Sequence, residues 1–418
     1  AAMIVQAPLG DLRDPALFRA ANDEFLLWDA FVAGKPRVSL APLVLSASIH
    51  EAARTAAEAV IAATGRASIA AFSDAREAEK YGFSKDVLAL ARASFAASDD
   101  AQLARVDLLW TGSRFVACEV NADCPGGHNE TVGLPILTRR ASYASPERLA
   151  GLVDPTEVVP ALVARIGALY RERASDLSER EGVVGLVYAT AYSEDLQICA
   201  FLERELRRAG LPTRRLPVTA LAVDASGDLC AYGKRIDVLY RYFPVEYMEG
   251  LPQGAAIADA IRRRRVRTIA SFREAFIQSK RIFVGGRASE NLAETYDFAA
   301  MDRRRLLADR EAWVVKKAFG RVGDEVFVGP LHGDDEWREL VLEVARRAAT
   351  GERWVAQRFV DQVPIPTPWG PRLVTLGAYV LDGKFVGYFA RLSEKSHVSH
   401  DALVVPVFVQ GRPVREVA

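Results

Sequence analysis

Hydrophobic spacing changes period several times along the chain, and each change predicts an element. Over residues 15–110 apolar side chains mostly recur every three or four positions. EAARTAAEAVIAATG and DVLALARASFAA have this helical spacing, and Gly65 is expected to end the first. Near residue 105 the period drops to two. LARVDLLW, the turn TGSR and FVACEVNAD predict a β-hairpin. Helical spacing returns over 141–180. VVGLVYAT (183–190) predicts a buried strand. Ser193 is expected to cap a helix with Leu196, Cys199, Leu202 and Leu206 on one face and Gly210 at its end. With RIDVLYRYF (235–243) these segments make a small α/β unit. IADAIRRRRVRTIASF (257–272) predicts a further helix, with Arg262–Arg265 as a solvated face.

From residue 311 alternation prevails. AWVVKKAF, EVFVG, RWVAQRFV, RLVTLGAYVL and KFVGYFARL predict strands, and DDEWRELVLEVARRAA predicts one helix among them. Asp382-Gly383 predicts a two-residue hairpin turn. The pattern is that of an α/β (α+β composite) fold, with domains expected at 1–145, 146–268 and 269–418.

Composition narrows the function. The chain has 418 residues, 50% apolar and 26% charged, which excludes a disordered or fibrous protein. Lys plus Arg and Asp plus Glu are both 54, so the overall basic excess usual for a nucleic-acid binder is lacking. No apolar run approaches the ~18 residues of a membrane span, and AAMIVQAPLGDLRDP does not read as an export signal. The 4 cysteines, irregularly spaced, suit a reducing cytoplasm. Only 9 of the 54 basic residues are lysines, so each lysine stands out. None of the 5 histidines has a Ser or Cys partner at triad spacing, and nucleophilic catalysis is unsupported.

Arg105, Asp107, Glu119 and Asn121 are the most informative residues. Side chains alternate faces along a strand, so Arg105 shares a face with Asp107, and Glu119 with Asn121. If the turn has an odd number of residues, Asp107 faces Glu119 and Arg105 faces Asn121. Val106, Leu108, Val116, Cys118 and Val120 then form the opposite, apolar face. An even turn splits the four across the sheet. Two carboxylates and an amide oxygen on one face suit Mg²⁺ that also holds substrate phosphates. A solvated polar face would show the same spacing. Cys118, Cys124 and His128 fit no usual structural-zinc spacing.

WVVKKAFGRVGDEVFVG (313–329) reads as strand, glycine loop and strand. Lys316 and Lys317 end the first strand, and Gly320, Arg321 and Gly323 lie in the loop. Glycines let backbone N–H groups approach an anion, and the cations add charge. A plain basic hairpin is the alternative, and the GxxxxGK[ST] spacing of a Walker loop is absent. Lys280, ending SFREAFIQSK, reads locally as a helix C-terminal cation.

Taken in order, RVD, EVNAD, AYSEDLQ, LYRYFPVE, the Lys280 helix, VVKKAFGR and WVAQRFV resemble the glutathionylspermidine synthase-like family of circularly permuted ATP-grasp ligases, over roughly residues 100–400. The resemblance implies a permuted ATP-grasp fold with a small α/β pre-ATP-grasp-like domain, and ATP and Mg²⁺ as cofactors. It implies that Asp107, Glu119 and Asn121 hold Mg²⁺ and that Arg105 contacts a reacting acyl phosphate. Lys280 and Lys316 would grip ATP phosphates beneath a lid that includes Gly320, Arg321 and Gly323. Gln357 would lie near the adenine edge, and Arg391 would be a second phosphate-side arginine. Two segments depart from the family pattern. Lys317 stands where the family usually has Pro, and Cys124-Pro125-Gly126-Gly127-His128 stands where it usually has Thr/Ser-Pro-Thr. The expected activity is ATP-dependent joining of a small-molecule carboxylate to an amine, releasing ADP and phosphate, with no nucleic-acid or membrane partner. A phosphotransferase and a non-catalytic binding protein built on the same scaffold are the alternatives.

Overall fold

The two strands of a lone hairpin are marginal in water and need further partners. Here Leu103–Trp110 and Phe115–Asn121 gain them from the far end of the chain. In the computed structural model, which describes residues 3–96, 101–175, 182–285, 289–320, 325–396 and 402–411, Leu373–Leu381 pairs antiparallel with Leu103–Trp110. Lys384–Ser393 and Leu403–Val405 follow, completing a five-stranded sheet. The turn between Leu373–Leu381 and Lys384–Ser393 is Asp382-Gly383, both at positive φ, as the dipeptide predicts.

One face of this sheet is apolar. Val106, Leu108, Phe115, Ala117, Val120, Leu376, Val380, Ala390 and Leu392 pack with Ile49, Ala53, Ala57, Val60 and Ile61 of the helix Ala47–Ser73. Alanines on both sides keep the contact close, and each fully buried aliphatic contributes about 1.5–3 kcal/mol. The helix runs through Gly65, so Gly65 does not end it. A lone interior glycine costs only about 1 kcal/mol against alanine, and Ser68 and Ala71 beyond it are buried.

The middle of the chain forms a six-stranded sheet. Val183–Tyr188 lies parallel to both Lys234–Tyr242 and Thr213–Leu216, with Ser193–Arg208 as the crossover helix. Cys199, Leu202 and Leu206 are buried as expected, but Tyr192 rather than Ser193 stands at the N-cap. The stretch 257–272 is not one helix. The helix is Pro252–Arg262; Arg264 then adopts positive φ, and Arg267–Ile269 joins Lys234–Tyr242 as a parallel strand. β-Branched Val266, Thr268 and Ile269 favour that change.

A third, antiparallel sheet runs Thr295–Asp297, Trp354–Arg358, Trp313–Lys317, Val326–Val328. Helix Asp334–Ala349 covers it, packing Trp337, Val341 and Val344 against Trp313, Val315 and Trp354. A small sheet joins Met3–Val5, Leu43–Leu45, Val407–Gln410 and Leu152–Val153. Helical spacing hid its short strands near the N-terminus. Among the described residues no helix is long and apolar enough to cross a membrane.

Candidate functional site

The hairpin turn, Thr111–Arg114, has four residues, because Trp110 pairs with Phe115. An even turn should have put Asp107 opposite Cys118. A β-bulge at Cys118 shifts the register by one, so Asp107 pairs with Glu119 and Arg105 with Asn121. The expected grouping therefore forms, by a route the turn length does not predict. The apolar face differs from expectation as a result. Phe115 and Ala117 join Val106, Leu108 and Val120 in the core. Val116 pairs with Leu109, on the face of Asp107, and Cys118 is the bulged residue.

Asp107 is 1% exposed and sits between two arginines. Arg105 Nε donates to Oδ1 at 2.8 Å, and an Arg391 guanidinium N–H donates to Oδ2. Asn121 Nδ2 also donates to Oδ2, at 3.2 Å, leaving its amide oxygen to face another partner. Burial alone would raise the Asp107 carboxyl, but Arg105 and Arg391 outweigh it and hold it well below the usual carboxylate range. Burial likewise opposes the charge on Arg105, which Asp107 secures. Buried Arg391 Nε has no hydrogen-bond partner among the described residues.

The second wall is cationic. Lys316 and Lys280 are each 6% exposed. Lys316 Nζ donates to the carbonyl of Cys118 at 3.3 Å, so the bulge also supplies a seat for this lysine. Lys280 Nζ lies 3.6 Å from Glu119 and donates to the Gly320 carbonyl at 3.3 Å. Burial pushes the Lys280 pKa down, with Glu119 opposing. Lys280 is thus not the exposed cation of a helix end. It opens a 3-10 turn, Lys280–Phe283, whose start is tied to both walls. Its own N–H donates to Ala318 O at 2.7 Å, and Gln278 Oε1 accepts from Ala122 N at 2.9 Å and Asp123 N at 3.1 Å.

Gln357 is buried behind the lysine. Its Oε1 accepts from Lys316 at 2.8 Å, and its Nε2 donates to Thr295 Oγ1 at 3.0 Å. Its amide here serves Lys316. Gly320 adjoins Lys280, whereas Arg321 and Gly323 lie outside the described residues. Lys317 turns away and pairs with Glu325 at 3.0 Å.

After Asn121 the chain turns into Cys124-Pro125-Gly126-Gly127-His128 and enters the helix His128–Ala141. Buried Asp123 pairs with Arg241 and accepts from Val245 N–H, docking this turn on the middle sheet. The Gly126 carbonyl accepts from Arg105 at 2.8 Å and from the Tyr379 hydroxyl. Among the described residues neither His128 ring nitrogen has a hydrogen-bond partner, and burial pushes its pKa down to about 3. Gln278, Thr295 and Arg241 had no local sequence signal as site residues, since each acts by contacting a segment remote in the chain.

Among the described residues no three His, Cys, Asp or Glu side chains are gathered as a metal cage. The hard-oxygen set comprises two carboxylates and one amide. On one face of two paired strands, these fit Mg²⁺ in chemical type; both Asp107 oxygens are taken by Arg105, Arg391 and Asn121, so Glu119, 30% exposed, offers the open carboxylate.

No curated protein matches the chain. Among solved structures, a glutathione synthetase-like effector from Globodera pallida, in apo form, is 13% identical with a TM-score of 0.62. It is matched over 98% of its length and 96% of this chain. A protein provisionally named a gamma-glutamylcysteine synthetase from Methylobacillus flagellatus gives 13% identity and a TM-score of 0.39, over 80% of its length and 74% of this chain. The first likeness supports the fold. Residues 43–410 match the family described as glutathionylspermidine synthase preATP-grasp, most of the chain and both walls of the site, and the protein belongs to that family of permuted ATP-grasp, synthetase-like ligases.

Proposed function

We propose that the protein is an ATP-dependent carboxylate–amine ligase that forms an amide through an acyl phosphate, releasing ADP and phosphate. The observation that carries this reading is the pair of contacts between the walls. Lys280 reaches Glu119, and Lys316 reaches the carbonyl next to it. A cationic wall closed on a carboxylate face suits a nucleotide triphosphate bridged by a cation.

In this reading Asp107, Glu119 and Asn121 hold Mg²⁺, which when bound neutralises charge on the phosphates. Lys280 exchanges its present oxygen partners for phosphate oxygens, whereas Lys316 keeps the Cys118 carbonyl and Gln357 Oε1 and turns its third N–H to the phosphates. Gln357 and Thr295 keep Lys316 aimed. The acid's carboxylate attacks the γ-phosphorus, and the amine then displaces phosphate from the acyl carbon. Arg391 has a buried donor to spare for the transferring phosphoryl oxygens. With Arg105 it meets charge that gathers in the transition state, a role that can be worth ~10³-fold. In this reading the metal wall combines the hairpin of the expected division 1–145 with strands 373–405 of the division 269–418, the docking sheet lies mainly within 146–268, and the lysine wall is the 280–358 part of the last division.

The deciding experiment screens carboxylate and amine pairs for stimulated ADP release by the full chain. A pair that releases ADP and yields an amide supports ligation. ADP release indifferent to every amine, with phosphate on the acid or another acceptor, makes it a phosphotransferase. Absence of Mg-ATP binding by calorimetry removes the reading.

A further inference from the structure

Both arginines that hold Asp107 meet a structure that is not itself charged. In the sheet, Gly377 lies between Phe389 on one neighbouring strand and Asp107 on the other. A Cβ on Gly377 would sit 2.8 Å from Arg105 Cδ, 2.9 Å from the Phe389 carbonyl oxygen and 3.1 Å from Arg105 Nε. The Arg105 side chain therefore lies across bare backbone, in space that any side chain at 377 would take. That path brings Arg105 Nε to Asp107. One ring then serves both cations: Arg105 Cζ lies 5.2 Å and Arg391 Cζ 5.5 Å from the centre of Phe389. Two guanidinium groups so close repel each other. Asp107 answers the repulsion with charge, and an aromatic face answers it through its quadrupole.

We propose that Gly377 and Phe389 are positioning residues, a slot and a platform that together aim Arg105 and Arg391 at the transferring phosphoryl group. This inference rests on the ligase reading for its catalytic consequence, but its structural half does not. Phe389 needs no contact with substrate. It restricts where two long, otherwise rotatable side chains can point. Arranging donors before the reaction raises the rate of the chemical step more than it tightens substrate binding. Leucine at 389 would keep an apolar filling and lose the π face. Alanine at 377 would close the slot.

The test uses the full chain labelled with ¹⁵N-arginine, with Arg105→Lys to identify the Arg105 Nε–H signal. That signal should be displaced from the bulk of arginines in the wild type, stay displaced in Phe389→Tyr, and move in Phe389→Leu and Gly377→Ala. Turnover is measured alongside, with the acid and amine pair that gives ADP release. Phe389→Leu should lower kcat roughly tenfold or more while KM for ATP stays within about threefold, and Phe389→Tyr should recover most of kcat. An Arg105 signal unmoved in Phe389→Leu overturns the platform, whatever the activity. So does a loss confined to KM, or equal losses in the Leu and Tyr variants. Should Gly377→Ala fail to fold, the Leu and Tyr pair still decides the matter. Signals that move as expected in a protein that turns over no ATP with any pair would instead refute the ligase reading and leave the seat standing.

Discussion

Asp107 is enclosed by cations that would be uncompensated without it. Asp107→Asn should therefore do two things at once: abolish ADP release and destabilise the fold by about 3 kcal/mol, because Arg105 and Arg391 lose a buried counterion. Turnover assays and urea melts on the same preparation check this; wild-type activity would remove Asp107 from the metal wall. Lys280 gives a prediction in pH. Burial lowers its pKa despite Glu119, so its charge is lost at a pH below the ordinary ~10.4 of a lysine. Mg-ATP affinity should fall as pH rises through that lowered value, and Lys280→Arg should move the alkaline limb upward in calorimetric titrations. His128 acts on stability instead. Folded, it titrates near 3, against ~6.5 unfolded. Between those values the unfolded chain takes a proton that the folded one refuses, so stability falls as pH drops below ~6.5, by up to about 1.4 kcal/mol per unit. His128→Phe, set between the rings of Tyr242 and Tyr379, should flatten that slope in melts at pH 7 and pH 5. At this scale the charged residues were legible, because a carboxylate or a rare lysine is visible in isolation. Gly377 was not, since a glycine in a strand gives no hint of what lies across it.

The element that decides the site is the bulge at Cys118. The alternation of LARVDLLW and FVACEVNAD predicted both strands, yet a four-residue turn predicted the wrong partner for Asp107. The bulge corrects the pairing and presents a backbone carbonyl to Lys316. The contact belongs to the main chain, so Cys118→Ala should keep Mg-ATP affinity within about threefold. Deleting Cys118 should leave Glu119 opposite Asp107 but weaken Mg-ATP binding roughly tenfold, the scale of one charge-assisted hydrogen bond. Calorimetry on the two variants separates these outcomes, and equal affinity in both would mean the carbonyl is idle. The strands from 311 onward were legible for the same reason as the hairpin: period two and β-branched residues. The helix ends were not. Gly65 lacks the left-handed turn that ends a helix, and the 257–272 stretch hid a strand behind four arginines.

For the molecule as a whole, zero net charge concealed a cluster of largely buried charges, with Arg105, Asp107, Glu119 and Arg391 on one sheet, Lys316 on another and Lys280 on a 3-10 turn. A ligand that bridges them should stabilise the protein as one body. Mg-ATP at 100 times its Kd should add about 2.7 kcal/mol and raise Tm, and Lys316→Ala should abolish the shift. Thermal melts with and without Mg-ATP test this directly. The order of motifs made the permuted arrangement legible, but not which strands would share a sheet, because pairing between residues about 270 apart leaves no local trace. That pairing has a consequence for biosynthesis. On the ribosome, Leu103–Trp110 emerges long before Leu373–Leu381, and until then one of its edges has no native neighbour. The nascent chain must carry an unfinished, adhesive strand through most of translation, so its yield in the cell should depend on chaperones that shield such edges.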